Sequence, residues 1–268
     1  MSQTRLFPLI AVDVGNARTK LGRFAADGGA GLPEPEAVLA VDNATGALDG
    51  VAEWLEPIAA SRARWSIGSV NRPAATRLID WLRAHRPDDP VMLLSASDLR
   101  LKVALARPDM VGVDRLLDAL AANHLRRPDR PAVVVDVGTA ITVDLVSADG
   151  TFRGGAILPG MAMAARALHE FTDLLPSIET SDLTTQSAAV GTSTESAMRS
   201  GLFWGAVGAI RELVGQMTAA ETDRGYAAEP DVFLTGGAGL LVAELLGPSA
   251  RHVPQLTLSG VALAVRGD

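Results

Sequence analysis

Two short stretches of this chain carry a carboxylate, a glycine and a polar residue in the same order: Asp13-Val14-Gly15-Asn16-Ala17 and Asp136-Val137-Gly138-Thr139-Ala140. Each follows an apolar run and opens a second alternating run, which carries Thr19 in the first copy and Thr142 in the second. Such a tip between two strands can hold an anion. The glycine lets main-chain amides come close to a ligand. Successive N–H groups form a nest for anionic oxygens, and Asn or Thr adds a side-chain donor. The aspartate cannot bind phosphate itself; its natural partner is a cation, a hydrated Mg2+ or a monovalent ion, that bridges to phosphate. Lys20 supplies positive charge just after the first tip. Asp and Gly are also common turn residues, and a single copy reads as a plain β-turn. Two copies, with Thr235-Gly236-Gly237 downstream, favour a phosphate clamp made of two facing tips.

Three other features could take part. A glycine pair after the apolar run 231–234 lets a flat base or ribose lie against the backbone, though such pairs also close ordinary turns. In "PDMVGVDR", Asp114 could take the proton of an attacking hydroxyl, and Arg115 could pair a substrate anion. Asp114 could equally be a helix N-cap beside a solvated arginine. Asp144 reads as an inward-facing structural carboxylate. Trp54, Trp81 and Trp204 read as core or interface residues, and His169 as a packing or surface histidine.

The elements around these residues follow from periodicity. Residues 7–14 and 17–24 read as a strand hairpin, followed by a Gly/Pro-rich loop over 27–35 and a strand at 37–42. Helical spacing covers 47–60 and 73–85, with strands at 65–70 and 91–95. Residues 107–115 form a loop into a helix at 114–125. "RRPDRP" (126–131) is a polar, Pro-punctuated linker. The grammar then restarts: a strand at 132–138, its partner at 140–147, an Asp149-Gly150 turn and a strand at 151–158. Helices are expected over 159–175 and, as one helix or a pair, over 193–217. A strand–glycine turn–helix follows at 231–239, and a last helix at 257–265. Strands alternating with helices make an α/β chain. The repeat divides it into two domains, 1–128 and 129–268.

Composition sets the limits. The 268 residues suit two small domains or one large one, since single cores seldom grow past about 250 residues. A net charge of −7 argues against nucleic acid or an anionic membrane as partner, because both need a basic footprint. With no cysteine, disulfides, thiolate nucleophiles and cysteine zinc sites are excluded. The four histidines, 85, 124, 169 and 252, lack metal-ligand spacing. No long apolar segment precedes residue 15, and no apolar run of about 18 residues occurs. A soluble cytoplasmic protein is expected.

The paired hairpin tips and the late glycine pair resemble the actin, sugar kinase and heat-shock chaperone superfamily. Within it, Asp13-Val-Gly-Asn16 with Lys20, "PDMVGVDR" at 108–115, "DVGTAITVDLV" at 136–146, "GGAILPG" at 154–160, "LLP" at 174–176 and "GTSTESAMRSG" at 191–201 resemble the type III pantothenate kinase family. The resemblance covers nearly the whole chain. It implies two duplicated actin-like (ribonuclease H-like) domains, each a mixed five-stranded sheet flanked by helices, with a nucleotide cleft between them. It implies ATP-dependent phosphorylation of pantothenate, the first step toward coenzyme A, by a homodimer using Mg2+ and K+ or NH4+. Carried over by residue, the ATP-binding set is Asp13, Val14, Gly15, Asn16, Ala17, Arg18, Thr19, Lys20, Thr139, Gly236 and Gly237. Gly112, Val113, Asp114, Arg115 and Thr194 form the substrate set, with Asp114 as the catalytic base, and Asp136 holds the monovalent cation. Many members carry a tyrosine seven residues before the glycine of this loop, where this chain has Leu105. Other readings are another small-molecule kinase of the superfamily, or a non-catalytic nucleotide-binding regulatory or accessory protein.

Overall fold

The computed structural model describes residues 7–25, 31–183, 185–226 and 229–266. By internal contacts the chain forms two units. The first comprises Met1–Leu101, Ala106–Leu125 and Gln255–Asp268; the second comprises Lys102–Leu105 and Arg126–Pro254.

The first unit opens with β1 (Leu9–Val14), β2 (Arg18–Phe24) and β3 (Ala37–Asp42), an antiparallel meander. Part of the loop expected over 27–35 lies outside the described residues. Helix α1 (Asp49–Leu55) ends in a 3-10 turn at Glu56–Ile58, short of the expected stretch to 60. Strand β4 (Arg64–Ser69) pairs parallel with β1, helix α2 (Arg72–His85) follows, and β5 (Val91–Leu93) pairs parallel with β4. The sheet order is therefore β3-β2-β1-β4-β5. The apolar alternation of the central strands has a direct purpose: Ile10, Val12, Leu21, Trp65 and Ile67 pack with Leu78 and Leu82 of α2 in one core.

Strand β6 (Lys102–Val103) belongs to the second sheet, and helix α3 (Val113–Leu125) to the first unit. The second unit repeats the plan with a meander of β7 (Ala132–Val137), β8 (Ala140–Val146) and β9 (Thr151–Pro159). Helices α4 (Met161–Glu170) and α5 (Thr194–Asp223) lead to β10 (Asp231–Thr235), which is parallel to β7. Helix α6 (Gly239–Leu246), β11 (Ala250–His252) and α7 (Leu256–Ala264) complete the chain. The order β11-β10-β7-β8-β9-β6 mirrors the first sheet, with β6 added at one edge.

Several expectations differ from the structure or are narrowed by it. The second sheet has six strands, not five, because Lys102–Val103 pairs with Thr151–Phe152. A two-residue strand carries no readable alternation. A cut at residue 128 also differs from the observed partition: the last helix, α7, packs in the first unit. Its residues Leu256 to Ala262 are all buried. A Cβ at Gly260 would sit 2.7 Å from the Leu117 carbonyl carbon of α3, so the two backbones meet where only glycine leaves room. Helix α4 stops at Glu170 instead of reaching 175. There Thr172 Oγ1 donates to the Leu168 carbonyl at 2.6 Å, and the His169 ring bonds the Leu175 carbonyl at 2.8 Å. The stretch expected as one helix or two is a single 30-residue helix, α5. Ser193 caps it, accepting from the Ser196 amide.

Candidate functional site

The first tip lies where β1 turns into β2. Asp13 stands opposite Lys20, and Val14 opposite Thr19. The Gly15 amide donates to the Arg18 carbonyl at 3.0 Å, which closes a three-residue loop. Asp13 and Lys20 are half-buried, whereas Asn16, Ala17 and Arg18 are exposed. Val14 is fully buried, so its side chain is not available to a ligand.

Two asparagines hold this tip, and the sequence patterns did not single out either. Asn43, one residue past β3, donates its Nδ2 to the Gly15 carbonyl at 2.8 Å, and its own amide donates to the Ala17 carbonyl at 2.9 Å. Its Oδ1 accepts from the buried Thr19 hydroxyl at 2.7 Å. Asn71, the N-cap of α2, donates its Nδ2 to the Asn16 carbonyl at 3.2 Å. The only signals in the sequence were turn-forming neighbours: Asp42-Asn43-Ala44-Thr45-Gly46, and Asn71 ahead of Pro73.

The loop before α3 reaches the same end of this sheet. Gly68, the β4 partner of Asp13, lies under α3: a Cβ there would be 2.6 Å from Leu117 Cδ1 and 3.7 Å from Val113 Cγ1. Gly112 lies by Val70, whose amide donates to the Val14 carbonyl at 3.0 Å. Thus the first unit by itself gathers the tip, Lys20 and the Gly112–Arg115 loop. Val113 is buried, so its side chain serves the core. Asp114 is half-buried, and its Oδ1 accepts the Arg115 amide at 2.8 Å. A Cβ on residue 112 would crowd that same oxygen at 2.5 Å, so the glycine makes room for the carboxylate. Burial holds the Asp114 carboxyl above the usual carboxylate range, against the opposing pull of the Arg115 amide and charge. A carboxylate of this kind is suited to accept a proton.

The second tip is held differently. Gly138 donates to the Ala140 carbonyl at 3.1 Å, closing a two-residue loop. This changes the register. Thr142, not the next residue, stands opposite Asp136. The position of Lys20 is therefore filled by Thr142, and the sequence match of Thr19 with Thr142 is one residue out in space. The Gly160 amide at the head of α4 donates to the Thr139 carbonyl at 3.1 Å. A Cβ on Gly160 would collide with the Gly138 and Thr139 carbonyl oxygens. Gly236 adopts φ +86° and lies against the Asp136 carboxylate; its Cβ would stand 2.6 Å from the Val137 carbonyl group. Asp136, Thr139 and the Gly236–Gly237 turn are thus gathered at one end of β7 and β10 in the second unit. Asp136 is half-buried and Thr139 is exposed.

Thr194 is the first residue of α5 and is exposed; it makes no hydrogen bond to the second tip among the described residues. Leu105 packs at 3.2 Å over the position a Cβ on Gly154 would take. Asp144 is 2 % exposed and lies beside Gly155, its partner on β9. No helix among the described residues is long and apolar enough to cross a membrane.

The fold has known relatives. Over 96% of this chain and 95% of that one, the structure superposes on MreB5 of Spiroplasma citri, solved bound to ADP, with a TM-score of 0.50 at 10% identity. This places the chain in the actin-like class of duplicated α/β domains. A profile of type III pantothenate kinases matches residues 9–216. The type III pantothenate kinase of Chlorobaculum parvum is 33% identical over 98% of this chain and 96% of its own length. That of Alkalilimnicola ehrlichii is 33% identical over 96% and 97%. The chain belongs to the type III pantothenate kinase family, and is by that membership a kinase.

Proposed function

We propose that this chain transfers the γ-phosphoryl group of ATP to the terminal hydroxyl of pantothenate, giving 4'-phosphopantothenate, the first step toward coenzyme A. Asp114 carries the reading. Its carboxylate is half-buried at the start of α3, given room by Gly112, and held at raised pKa by burial. In this role it accepts the hydroxyl proton as the oxygen attacks phosphorus. Arg115, next in sequence, pairs the pantothenate carboxylate, and Gly112 and Val113 offer main chain to the acceptor. Thr194, at the head of α5, completes the acceptor set.

The segment from Asp13 to Lys20 takes the ATP phosphates through its tip amides and the Lys20 ammonium, and Thr139, Gly236 and Gly237 contact the nucleotide. Catalysis is then mostly positioning and charge stabilisation. A Mg2+ ion, which keeps several waters and takes one or two carboxylates beside phosphates, suits the half-buried Asp13. Asp136 offers one carboxylate next to the main chain of Val137 and Gly236, a donor set that fits a K+ or NH4+ ion. Such ions neutralise phosphate charge when bound.

A homodimer is part of the same proposal. Among the described residues, nothing outside the helix's own backbone lies within 4 Å of a Cβ added at Gly201, Gly205, Gly208 or Gly215 on α5, and Phe171 and Leu174 are 84% and 86% exposed. Sedimentation at micromolar concentration tests it; a sedimentation coefficient of the single chain would exclude the dimer.

The decisive experiment couples ADP release to pantothenate, with and without potassium, for the wild type and Asp114→Asn. Loss of roughly a hundredfold or more in kcat, with nucleotide affinity kept, is the expected result. Near-normal turnover in the variant removes Asp114 as the base. Because Leu105 stands where many relatives have tyrosine, the same assay is run against a panel of hydroxylated acids. A preferred acceptor other than pantothenate would move the reading to another small-molecule kinase.

A further inference from the structure

The first tip shows an asymmetry between its donors and its acceptors. Three successive carbonyls, those of Gly15, Asn16 and Ala17, are each captured from behind by an asparagine. The amides of Asn16 and Ala17, in contrast, donate to no acceptor among the described residues. A turn whose carbonyls are all engaged and whose two following amides, those of Asn16 and Ala17, stay open presents positive partial charge outward. Successive open amides of a turn are what an anion-binding nest is built from. Its orientation is fixed by chemistry as well as by position. The Gly15 carbonyl can only accept, so the Asn43 amide must turn its Nδ2 to it, which leaves Oδ1 for the Thr19 hydroxyl. The Arg77 guanidinium in turn donates to the Asn43 carbonyl at 3.0 Å, tying the residue to α2.

We infer that Asn43 and Asn71 are positioning residues for ATP: they set the tip amides toward the phosphates while touching no phosphate themselves. This rests on the proposed role of residues 13–20 in phosphate binding. Asn43 is the stronger of the two, with three hydrogen bonds to the hairpin against one from Asn71. Thr19 then acts through Asn43; its hydroxyl is directed at the asparagine and is not presented to a ligand. The inference assigns a function to the short turn after β3, whose composition otherwise marks only a change of direction.

The test is calorimetric titration of the full chain with Mg2+ and the non-hydrolysable β,γ-imido analogue of ATP, paired with steady-state kinetics. Three proteins are compared: wild type, Asn43→Ala and Asn71→Ser. Serine keeps the helix cap but cannot reach the Asn16 carbonyl. Loss of two side-chain hydrogen bonds should raise the analogue's Kd about tenfold in Asn43→Ala, and loss of one should raise it about threefold in Asn71→Ser. KM for ATP should follow, while KM for pantothenate stays within about twofold. A general loss of structure would move both constants together, so the split separates positioning from folding. If Asn43→Ala does not fold, Thr19→Val, which removes only the hydroxyl that orients the amide, takes its place. Unchanged analogue affinity in the folded variants overturns the inference alone. A wild type that binds no analogue overturns the phosphate reading beneath it as well.

Discussion

The two hairpin tips begin from nearly the same five residues and are held by opposite means. The first is gripped mainly by side chains: the Asn43 and Asn71 amides reach the Gly15 and Asn16 carbonyls from neighbouring strand ends, with the Asn43 main-chain amide on the Ala17 carbonyl. The second is gripped by main chain: the Gly160 and Gly236 backbones press against its carbonyl groups, with Gly236 also against the Asp136 carboxylate. Side chains can relax by rotating, whereas a backbone packed on a backbone cannot. The first tip should therefore be tolerant and adjustable, and the second unforgiving.

Substitutions can break that contrast. The largest effect is expected from Gly236→Ala. Its backbone lies in the left-handed region that favours glycine, and the new Cβ would strike the Asp136 carboxylate and the Val137 carbonyl group. A loss of about 3 kcal/mol or more is expected, measured by chemical denaturation. Gly160→Ala comes next, at roughly 2–3 kcal/mol. Its backbone is ordinary, at φ −64°, and only the collision with Gly138 and Thr139 acts. Thr19→Val in the first tip removes one hydrogen bond to a half-buried amide and should cost about 1 kcal/mol. If Thr19→Val proves as damaging as Gly236→Ala, the contrast fails.

Two smaller effects sharpen it. Burial raises the pKa of Asp114, so the folded chain binds that proton more tightly than the unfolded chain. The stabilisation from this proton is full below the ordinary carboxylate range and is lost as pH rises through the raised folded pKa. Asp114→Asn, which carries no charge to desolvate, should therefore be more stable than the wild type at neutral pH. That advantage should vanish on acidification. Thermal midpoints across a pH series check this; a variant less stable at neutral pH would contradict it. The smallest effect is expected from Gly15→Ala. Its φ is not in the left-handed region, and the Cβ would come only to 3.2 Å of the Arg18 carbonyl. A change of less than about 0.5 kcal/mol is expected, against the several expected at the second tip.

Much of this plan could be read from residue patterns alone. Alternation and turn chemistry are local, and they marked both meanders, the strand before Gly236 and the helix that follows Gly112. The meaning of several residues was not local. Val14 and Val113 fell within stretches read from the sequence as candidate site motifs, yet both side chains are buried. Thr19 and Thr142 match in sequence, but a loop one residue shorter places Thr142 opposite Asp136, where the first tip has Lys20. One residue of loop length is invisible to a motif and decisive for a sheet, where each residue changes face. Strand β6 was missed because two residues have no period, and the short α4 because side-chain bonds join its last turn to the segment that follows, from Thr172 back to the Leu168 carbonyl and from His169 forward to the Leu175 carbonyl.

The sequence by itself determined the duplicated order of strands and helices, the carboxylates at Asp13, Asp114 and Asp136, and the glycines beside them. Each follows from residue type and spacing within a few positions of the chain. Only the tertiary structure decided that the last helix joins the first unit, that Gly236 and Gly160 enclose the second tip, and that Asn43 and Asn71 turn the first tip's carbonyls away. Those asparagines lie 28 and 55 residues from the carbonyls they capture. Hydrogen bonds across such separations are chosen when strands register and helices pack, after local preference has done what it can.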